Sequence, residues 1–439
     1  MKRNLYTELL IWKKNKSHKP LLLQGARQVG KTYLIDVFGK KEYENYIYIN
    51  FEQNIEIHSL FKSNLNPLKI IADLSLYFGK KIEAKDTLIF FDEIQILPEA
   101  ITSLKYFYEQ TPEFHIIAAG SLLGVSVGKE SSFPVGKINF KTLYPLSFSE
   151  FLLANNESLL IESLTEKEQI ESIPKAIHNK LNNYLKLFLF IGGMPEIVQD
   201  YINNKDISRV RELQNDILNA YQKDFSKYTN KNQAIKTSEV WNSIPFQLAK
   251  ENKKFKYNAV RKNARASYYE LTIEWLKNAG LIHLAHQINT PKLPLSGYTD
   301  NSKFKIYLLD TGLLGAMLNI SSDNIVKPNT LYIEYNGLFI ENFVATELFK
   351  IDEKALFYWT SKHDAEVDFI LQIKNNIIPI EVKSGLSKNL KSIRSYESKY
   401  NPKLICRTSP RNFYIDNNFI NLPLYSVFTF KNLINFKTL

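Results

Sequence analysis

Along the first 150 residues, short apolar runs alternate with stretches of helical period. Leu21–Gln24, Tyr46–Phe51, Thr87–Phe91, His115–Ala119 and Lys137–Leu143 read as strands. The first, third and fourth are continuously apolar, as strands are when helices cover both faces of a parallel sheet. This pattern predicts a three-layer α/β domain.

From Phe148 to about Asn230 the period turns helical, most clearly in Glu166–Leu189 and Val210–Tyr221, with Gly192-Gly193-Met194-Pro195 as a turn between helices. Short helices rich in Lys and Arg follow from Thr237, then strands at Leu281–Gln287 and Lys303–Leu309. Helices followed by a hairpin describe a winged helix. Finally, Glu334–Phe349 is helical, and Ala355–Trp359, Glu366–Ile373 and Ile377–Lys383 are strands of a second, smaller α/β unit. We therefore expect four domains, at residues 1–150, 151–235, 236–330 and 331–439.

A length of 439 residues exceeds what one core holds and agrees with several domains. The net charge of +11 is spread along the chain and favours acidic partners, nucleic acid being the commonest. The single cysteine, Cys406, excludes an intrachain disulfide framework and a cysteine-based zinc site. No window approaches the roughly 18 uninterrupted apolar residues of a membrane span, and Met1–Glu8 lacks the apolar stretch of a secretory signal. The expectation is a cytoplasmic protein without a membrane partner.

Gly25-Ala26-Arg27-Gln28-Val29-Gly30-Lys31-Thr32 fits G-x-x-x-x-G-K-[ST] and lies between a predicted strand and a predicted helix. The glycines let backbone N–H groups converge on phosphate oxygens, and the helix N-terminus adds a partial positive charge. Lys31 is expected on the β- and γ-phosphates and Thr32 on magnesium. Thr87-Leu-Ile-Phe-Phe-Asp92-Glu93 delivers Asp92 at a strand's carboxyl end, where it would hold Mg²⁺. Glu93 is suited to act as general base on the attacking water, which favours ATP over a GTPase-type site. Ser121, after the next strand, is a candidate γ-phosphate sensor or simply a strand-end cap. Arg27, Arg209, Arg211, Arg261 and Arg265 are all candidates for an arginine finger.

Together with GARQVGKT, LIFFDEIQ and AAGS, the runs Tyr144-Pro-Leu-Ser-Phe-Ser-Glu-Phe151, GGMP and Phe304-Lys-Ile-Tyr-Leu-Leu-Asp310-Thr-Gly-Leu-Leu314 resemble a family of prokaryotic AAA-type ATPases. In that family a C-terminal domain long labelled as of unknown function follows the ATPase. The resemblance covers nearly the whole chain and implies a P-loop NTPase sheet of order 5-1-4-3-2, a helical lid and a winged helix. By analogy with related signal-transduction ATPases, Pro195 contacts nucleotide; the alternative is a helix-breaking turn.

Lys250–Arg265 interleaves Lys253, Lys254, Lys256 and Lys262 with Phe255 and Tyr257, close to Tyr268 and Tyr269. It reads either as a DNA-binding segment or as a solvated helix face. Further on, Glu341 lies on a helix, Asp368 on a strand, and Glu381 and Lys383 two apart on the next strand, hence on one side. A hairpin at Lys374-Asn375-Asn376 brings Asp368 to them. Three carboxylates and a lysine suit metal-assisted phosphodiester hydrolysis with Mg²⁺ or Mn²⁺. The order resembles the restriction-endonuclease-like PD-(D/E)XK nucleases, although Val367 stands where that family usually has proline. The resemblance implies metal ligation by Glu341, Asp368 and Glu381 and a catalytic role for Lys383.

The expectation is therefore an ATP-hydrolysing switch that acts on nucleic acid, DNA by preference, with a homo-oligomer left open. The alternative is a regulatory nucleotide-binding switch whose nuclease fold is inactive and binds protein or DNA.

Overall fold

The computed structural model describes residues 1–120, 136–165, 171–228, 231–250, 253–320, 330–351, 355–361, 365–386, 390–430 and 432. The chain divides into two compact units. One comprises Lys2–Tyr144 with Asn278–Gly280, the other Met1, Pro145–Lys277 and Leu281–Leu439.

The first unit is built on five strands, β1 (Leu21–Gln24), β2 (Asn45–Asn50), β3 (Thr87–Asp92), β4 (His115–Ala119) and β5 (Asn139–Thr142). All pair in parallel, in the order β2-β3-β4-β1-β5. β3 and β4 are buried at every residue, and Leu21, Leu22 and Leu23 of β1 are buried as well. Parallel strands need crossover connections, which here run through helices including Lys31–Glu42 and Pro98–Gln110. The packing around Ile47, Ile49, Ile89, Phe91, Ile116 and Ala118 holds one face of the sheet together. The β1–β2 connection starts at the phosphate-loop motif, and β3 ends on Asp92, so both reach the same carboxyl edge.

The second unit begins with helices, among them Phe148–Ala154, Lys175–Ile191, Pro195–Asn204, Ile207–Tyr228, Lys231–Leu248 and Ala266–Asn278. Ser147 and Glu150 form a capping box: the Ser147 amide donates to Glu150 (2.9 Å) and the Glu150 amide to the Ser147 hydroxyl (3.2 Å). This explains the polar positions of the Tyr144–Phe151 run.

Eight strands follow: β6 (Ile282–Ile288), β7 (Thr299–Leu308), β8 (Leu356–Thr360), β9 (Glu366–Ile373), β10 (Asn376–Val382), β11 (Ile405–Ser409), β12 (Tyr414–Asp416) and β13 (Phe419–Pro423). They make a single sheet of order β12-β13-β11-β10-β9-β8-β6-β7. The hairpin assigned from the sequence to a winged helix is thus no free wing. β6 pairs antiparallel with β7 and parallel with β8, so the sheet runs across the expected boundary at residues 330 and 331. Ile282, Ala285 and Ile288 of β6 are buried, as suits a strand with a neighbour on each side.

β9 and β10 form a tight hairpin with Ile373 opposite Asn376 and Lys374 in the left-handed region (φ 53°). The helix Lys391–Tyr400 then crosses over so that β10 and β11 are parallel. The basic segment is anchored near its start, while Lys256, Arg261, Lys262 and Arg265 are exposed. Lys254 bridges to Lys305 of β7, the Phe255 amide donates to the Phe304 carbonyl (2.8 Å), and the two phenyl rings stack at 5.6 Å. The aromatic residues that looked like nucleic-acid contacts are here partly packing residues, since Phe255 and Tyr269 are buried. No described helix is long and apolar enough to cross a membrane.

Candidate functional site

The phosphate-loop motif leaves β1 through Gly25, whose φ of 142° favours glycine. A Cβ there would fall 2.2 Å from the Leu143 carbonyl oxygen, so a side chain would push the loop off β5's end. Gln28 (φ 63°) is also left-handed, as is Gly30 (φ 90°), the residue that opens the helix Lys31–Glu42. The Lys31 ammonium donates to the carbonyls of Gly25 (3.0 Å) and Ala26 (2.8 Å), folding back over its own loop. Burial pushes the Lys31 ammonium down to about 8; Glu93 and Asp92 oppose that shift, and Arg27 adds to it.

The Thr32 hydroxyl donates to Asp92 Oδ2 at 2.8 Å, and the Tyr48 hydroxyl donates to the same oxygen at 3.2 Å. The Glu93 amide donates to Asp92 Oδ1 (3.0 Å), so both carboxylate oxygens are held. Burial raises the Asp92 carboxyl, against the pull of the Thr32 hydrogen bond. Hydroxyl and carboxylate oxygens brought together at a phosphate loop fit a hard divalent cation such as Mg²⁺. Glu93 adopts φ 51°, and the Gln95 amide holds its Oε2. Gly120 follows β4 so closely that a Cβ there would lie 2.3 Å from Gln95 Oε1. Ser121 lies outside the described residues. The structure thus brings Lys31, Thr32, Asp92 and Glu93 to one edge of one sheet.

The carboxylates of the second unit also gather, but on different terms. Asp368 of β9 accepts from the Val382 amide (2.7 Å), and Glu381 Oε1 accepts from Lys383 (2.5 Å). Glu341, on the helix Thr330–Ile351, is bound by Lys253, by Lys305 (3.2 Å) and by the Tyr307 hydroxyl (2.6 Å). Burial alone would raise Glu341, but Lys253 and Lys305 outweigh it and hold the carboxyl at about 2. Burial, with Glu341 and Glu381 as negative neighbours, pushes Asp368 up to about 8. Lys305 is fully buried and also binds Glu366; burial opposes its charge, yet the surrounding acids hold it well above the ordinary lysine range.

Among the described residues no three His, Cys, Asp or Glu side chains are grouped to hold a metal ion. With Glu341 taken by ammonium groups, the donors predicted from the sequence do not fit a divalent cation as they stand. The sequence reading missed Lys305 and Glu366. Lys305 lies in a strand whose buried neighbours are apolar, and only that contrast marked it.

A third cluster joins two sequence motifs. Asp310 accepts from the amides of Gly193 (2.6 Å) and Leu313 (2.9 Å) and caps the helix Thr311–Met317. A Cβ on Gly192 would sit 2.2 Å from Asp310 Oδ1, which accounts for glycine there. Pro195 takes the first position of its helix, where a missing N–H costs nothing. Of the arginine candidates, Arg209 pairs with Asp200 (3.0 Å), and Arg211 donates to Gln214 (2.6 Å) and to the Gly312 carbonyl (3.2 Å).

Family models match three stretches of the chain. Residues 17–152 match an AAA domain, residues 182–324 a domain of unknown function (DUF8612), and residues 336–427 another (DUF4143). No curated protein matches. Among solved structures, the Walker-type ATPase of Pyrococcus abyssi is similar at 15% identity and a TM-score of 0.44, over 71% of this chain and 94% of that one. The Aeropyrum pernix ORC1 protein in complex with DNA is similar at 11% identity and a TM-score of 0.28, over 72% and 91%. AMPPCP-bound DnaA from Aquifex aeolicus is similar at 15% identity and a TM-score of 0.25, over 62% and 86%. The loop geometry, the acidic end of β3 and the match over residues 17–152 agree on a P-loop ATPase domain of the AAA type.

Proposed function

We propose that this chain is an ATP-hydrolysing switch that acts on nucleic acid. The observation that carries the ATPase reading is the 2.8 Å contact between Thr32 and Asp92, flanked by Lys31 and Glu93. Thr32 and Asp92 would hold Mg²⁺, which supplies charge neutralisation on the phosphates. Lys31 exchanges its two loop carbonyls for phosphate oxygens, and the amides of Gly25–Lys31 receive the rest of that charge. Glu93 accepts the proton of the attacking water, with Gln95 fixing the orientation of its carboxylate.

The nucleic-acid reading is supported by a cleft of about 670 Å³ in the same unit, lined by Lys13, Lys14, Lys16 and Lys85 with Glu113 as the one carboxylate on its walls. It lies where β4 begins, at the opposite edge of the sheet from the phosphate loop. Such a surface neutralises phosphodiester backbone. For residues 331–439 the order of helix, three antiparallel strands, crossover helix and parallel strand supports a restriction-endonuclease-like fold. The lysines on Glu341 favour the second reading, a module that binds without cleaving.

The test is ATP turnover by the full chain with Mg²⁺, with and without single-stranded DNA. Lys31→Ala is expected to abolish turnover, and Glu93→Gln to lower it about a hundredfold or more while nucleotide still binds. Turnover that survives both substitutions would overturn the reading.

A further inference from the structure

The start of the chain grips the phosphate loop from outside. Arg3 is buried, and its guanidinium donates through Nη1 to the Val29 carbonyl (2.9 Å) and through Nη2 to the Tyr144 carbonyl (2.5 Å). Val29 is itself fully buried and lies between the left-handed residues Gln28 and Gly30 of the loop. Tyr144 lies just past the end of β5, and all three residues belong to the first unit. A guanidinium presents its donors in a fixed fork, so it bridges two carbonyls in one geometry, as the single point of an ammonium does not.

Arg3 has little freedom to follow the loop. It stands just before the helix Leu5–Lys14, whose Tyr6 amide donates to the Arg3 carbonyl (3.0 Å). Leu5, Leu9 and Trp12 of that helix are buried, and the Trp12 indole donates to the Lys19 carbonyl (2.8 Å). The Tyr6 hydroxyl donates to Glu42 Oε1 (2.5 Å), its ring meets Phe38 edge-on at 5.5 Å, and Lys13 donates to the Glu42 carbonyl. The helix Lys31–Glu42 is thus held at its far end, and the loop before its near end is held by Arg3.

The Val29–Gly30 peptide is trans, so its carbonyl and its N–H point in opposite directions. With the Val29 oxygen drawn to Arg3, the Gly30 N–H is turned the other way. We infer that Arg3 is a positioning residue for phosphate: by holding the Val29 carbonyl outward it keeps the Gly30 amide aimed at a phosphate oxygen of the nucleotide. This role rests on the ATPase reading. Glycine at position 30 makes the grip necessary, because glycine lets the peptide rotate at little steric cost. A rotated peptide sets a carbonyl oxygen against phosphate charge in place of a donor.

The test measures the dissociation constant of Mg-ATP by isothermal titration calorimetry on the full chain, together with KM and kcat. Arg3→Met keeps an apolar stem without donors, and it is expected to raise the dissociation constant and KM about tenfold or more. The same variant is expected to keep kcat within about twofold, because Arg3 touches no reacting atom. Arg3→Lys, which retains a charged donor, is expected to recover part of the lost affinity. Tyr6→Phe loosens the same helix without touching Val29, and it is expected to leave the affinity at the native value. A merely weakened fold loses active molecules, which lowers kcat at unchanged KM; that pattern in Arg3→Met overturns the inference. So does native affinity in Arg3→Met, or a loss in Tyr6→Phe as large as in Arg3→Met. Turnover by the native chain and its loss in Lys31→Ala bear on the ATPase reading alone, whereas the role of Arg3 is decided by the ratio of the Mg-ATP dissociation constants of Arg3→Met and the native chain.

Discussion

Replacing Asp310 tests whether the Gly192–Pro195 turn is held by the motif that follows β7. Its carboxylate accepts from two buried amides, Gly193 at 2.6 Å and Leu313 at 2.9 Å. Asp310→Ala leaves both donors without a partner, at about 1–3 kcal/mol each. Burial raises the Asp310 carboxyl, so the native group already carries a desolvation cost that the substitution returns. The net loss is then about 3 kcal/mol, and Asp310→Asn, which keeps one acceptor, should lose about half of it. With two compact units, a single unfolding free energy is poorly defined. Hydrogen exchange followed by mass spectrometry reads the effect locally. Peptides covering Gly193 and Leu313 are expected to exchange about a hundredfold faster in Asp310→Ala and about tenfold faster in Asp310→Asn. Unchanged exchange at both peptides in Asp310→Ala would refute the reasoning. Equal effects of Ala and Asn would show that charge, and not the two directed bonds, matters.

Two further outcomes follow from the first unit. The triple substitution of the exposed Lys14, Lys16 and Lys85 by alanine is expected to weaken single-stranded DNA binding and to reduce the slope of log K against log salt by about 2; an unchanged slope in a fluorescence-anisotropy titration removes this cleft from the interface. His115 is buried and stacked 4.2 Å from His18, and burial, with His18 beside it, pushes its imidazole down to about 4. Its folded pKa thus lies below the unfolded one, so the unfolded chain binds the proton first and stability falls as pH drops from about 6.5 towards 4. At pH 5 the loss is about 2 kcal/mol, and a thermal-melting series should show a shallower pH slope for His115→Gln than for the native chain.

Much of the first unit could be read from local pattern. A parallel strand buried on both faces lacks the polar alternation of a half-exposed one, which is why Thr87–Phe91 and His115–Ala119, apolar after their first residue, stood out, and the phosphate loop declared itself because only its glycines allow φ values such as 142° and 90°. Local patterning also placed Glu381 beside Lys383 and set the β9–β10 hairpin, since both follow from a period of two and a tight turn.

The tertiary structure alone decided how distant segments pair. β6 carried the pattern of a hairpin strand, yet its free edge found β8, some 70 residues on, because a buried edge must satisfy its backbone groups with whichever strand packs beside it. Lys253 looked like one more surface cation, and its approach to Glu341, 88 positions away, depended on the Phe255–Phe304 contact that docks its segment. The same holds for Asp310 and Gly193, 117 positions apart. Local sequence sets each segment's backbone preference and which face is apolar; which carboxylate meets which cation is set by packing at long range, and it was there that the C-terminal acids became ion pairs.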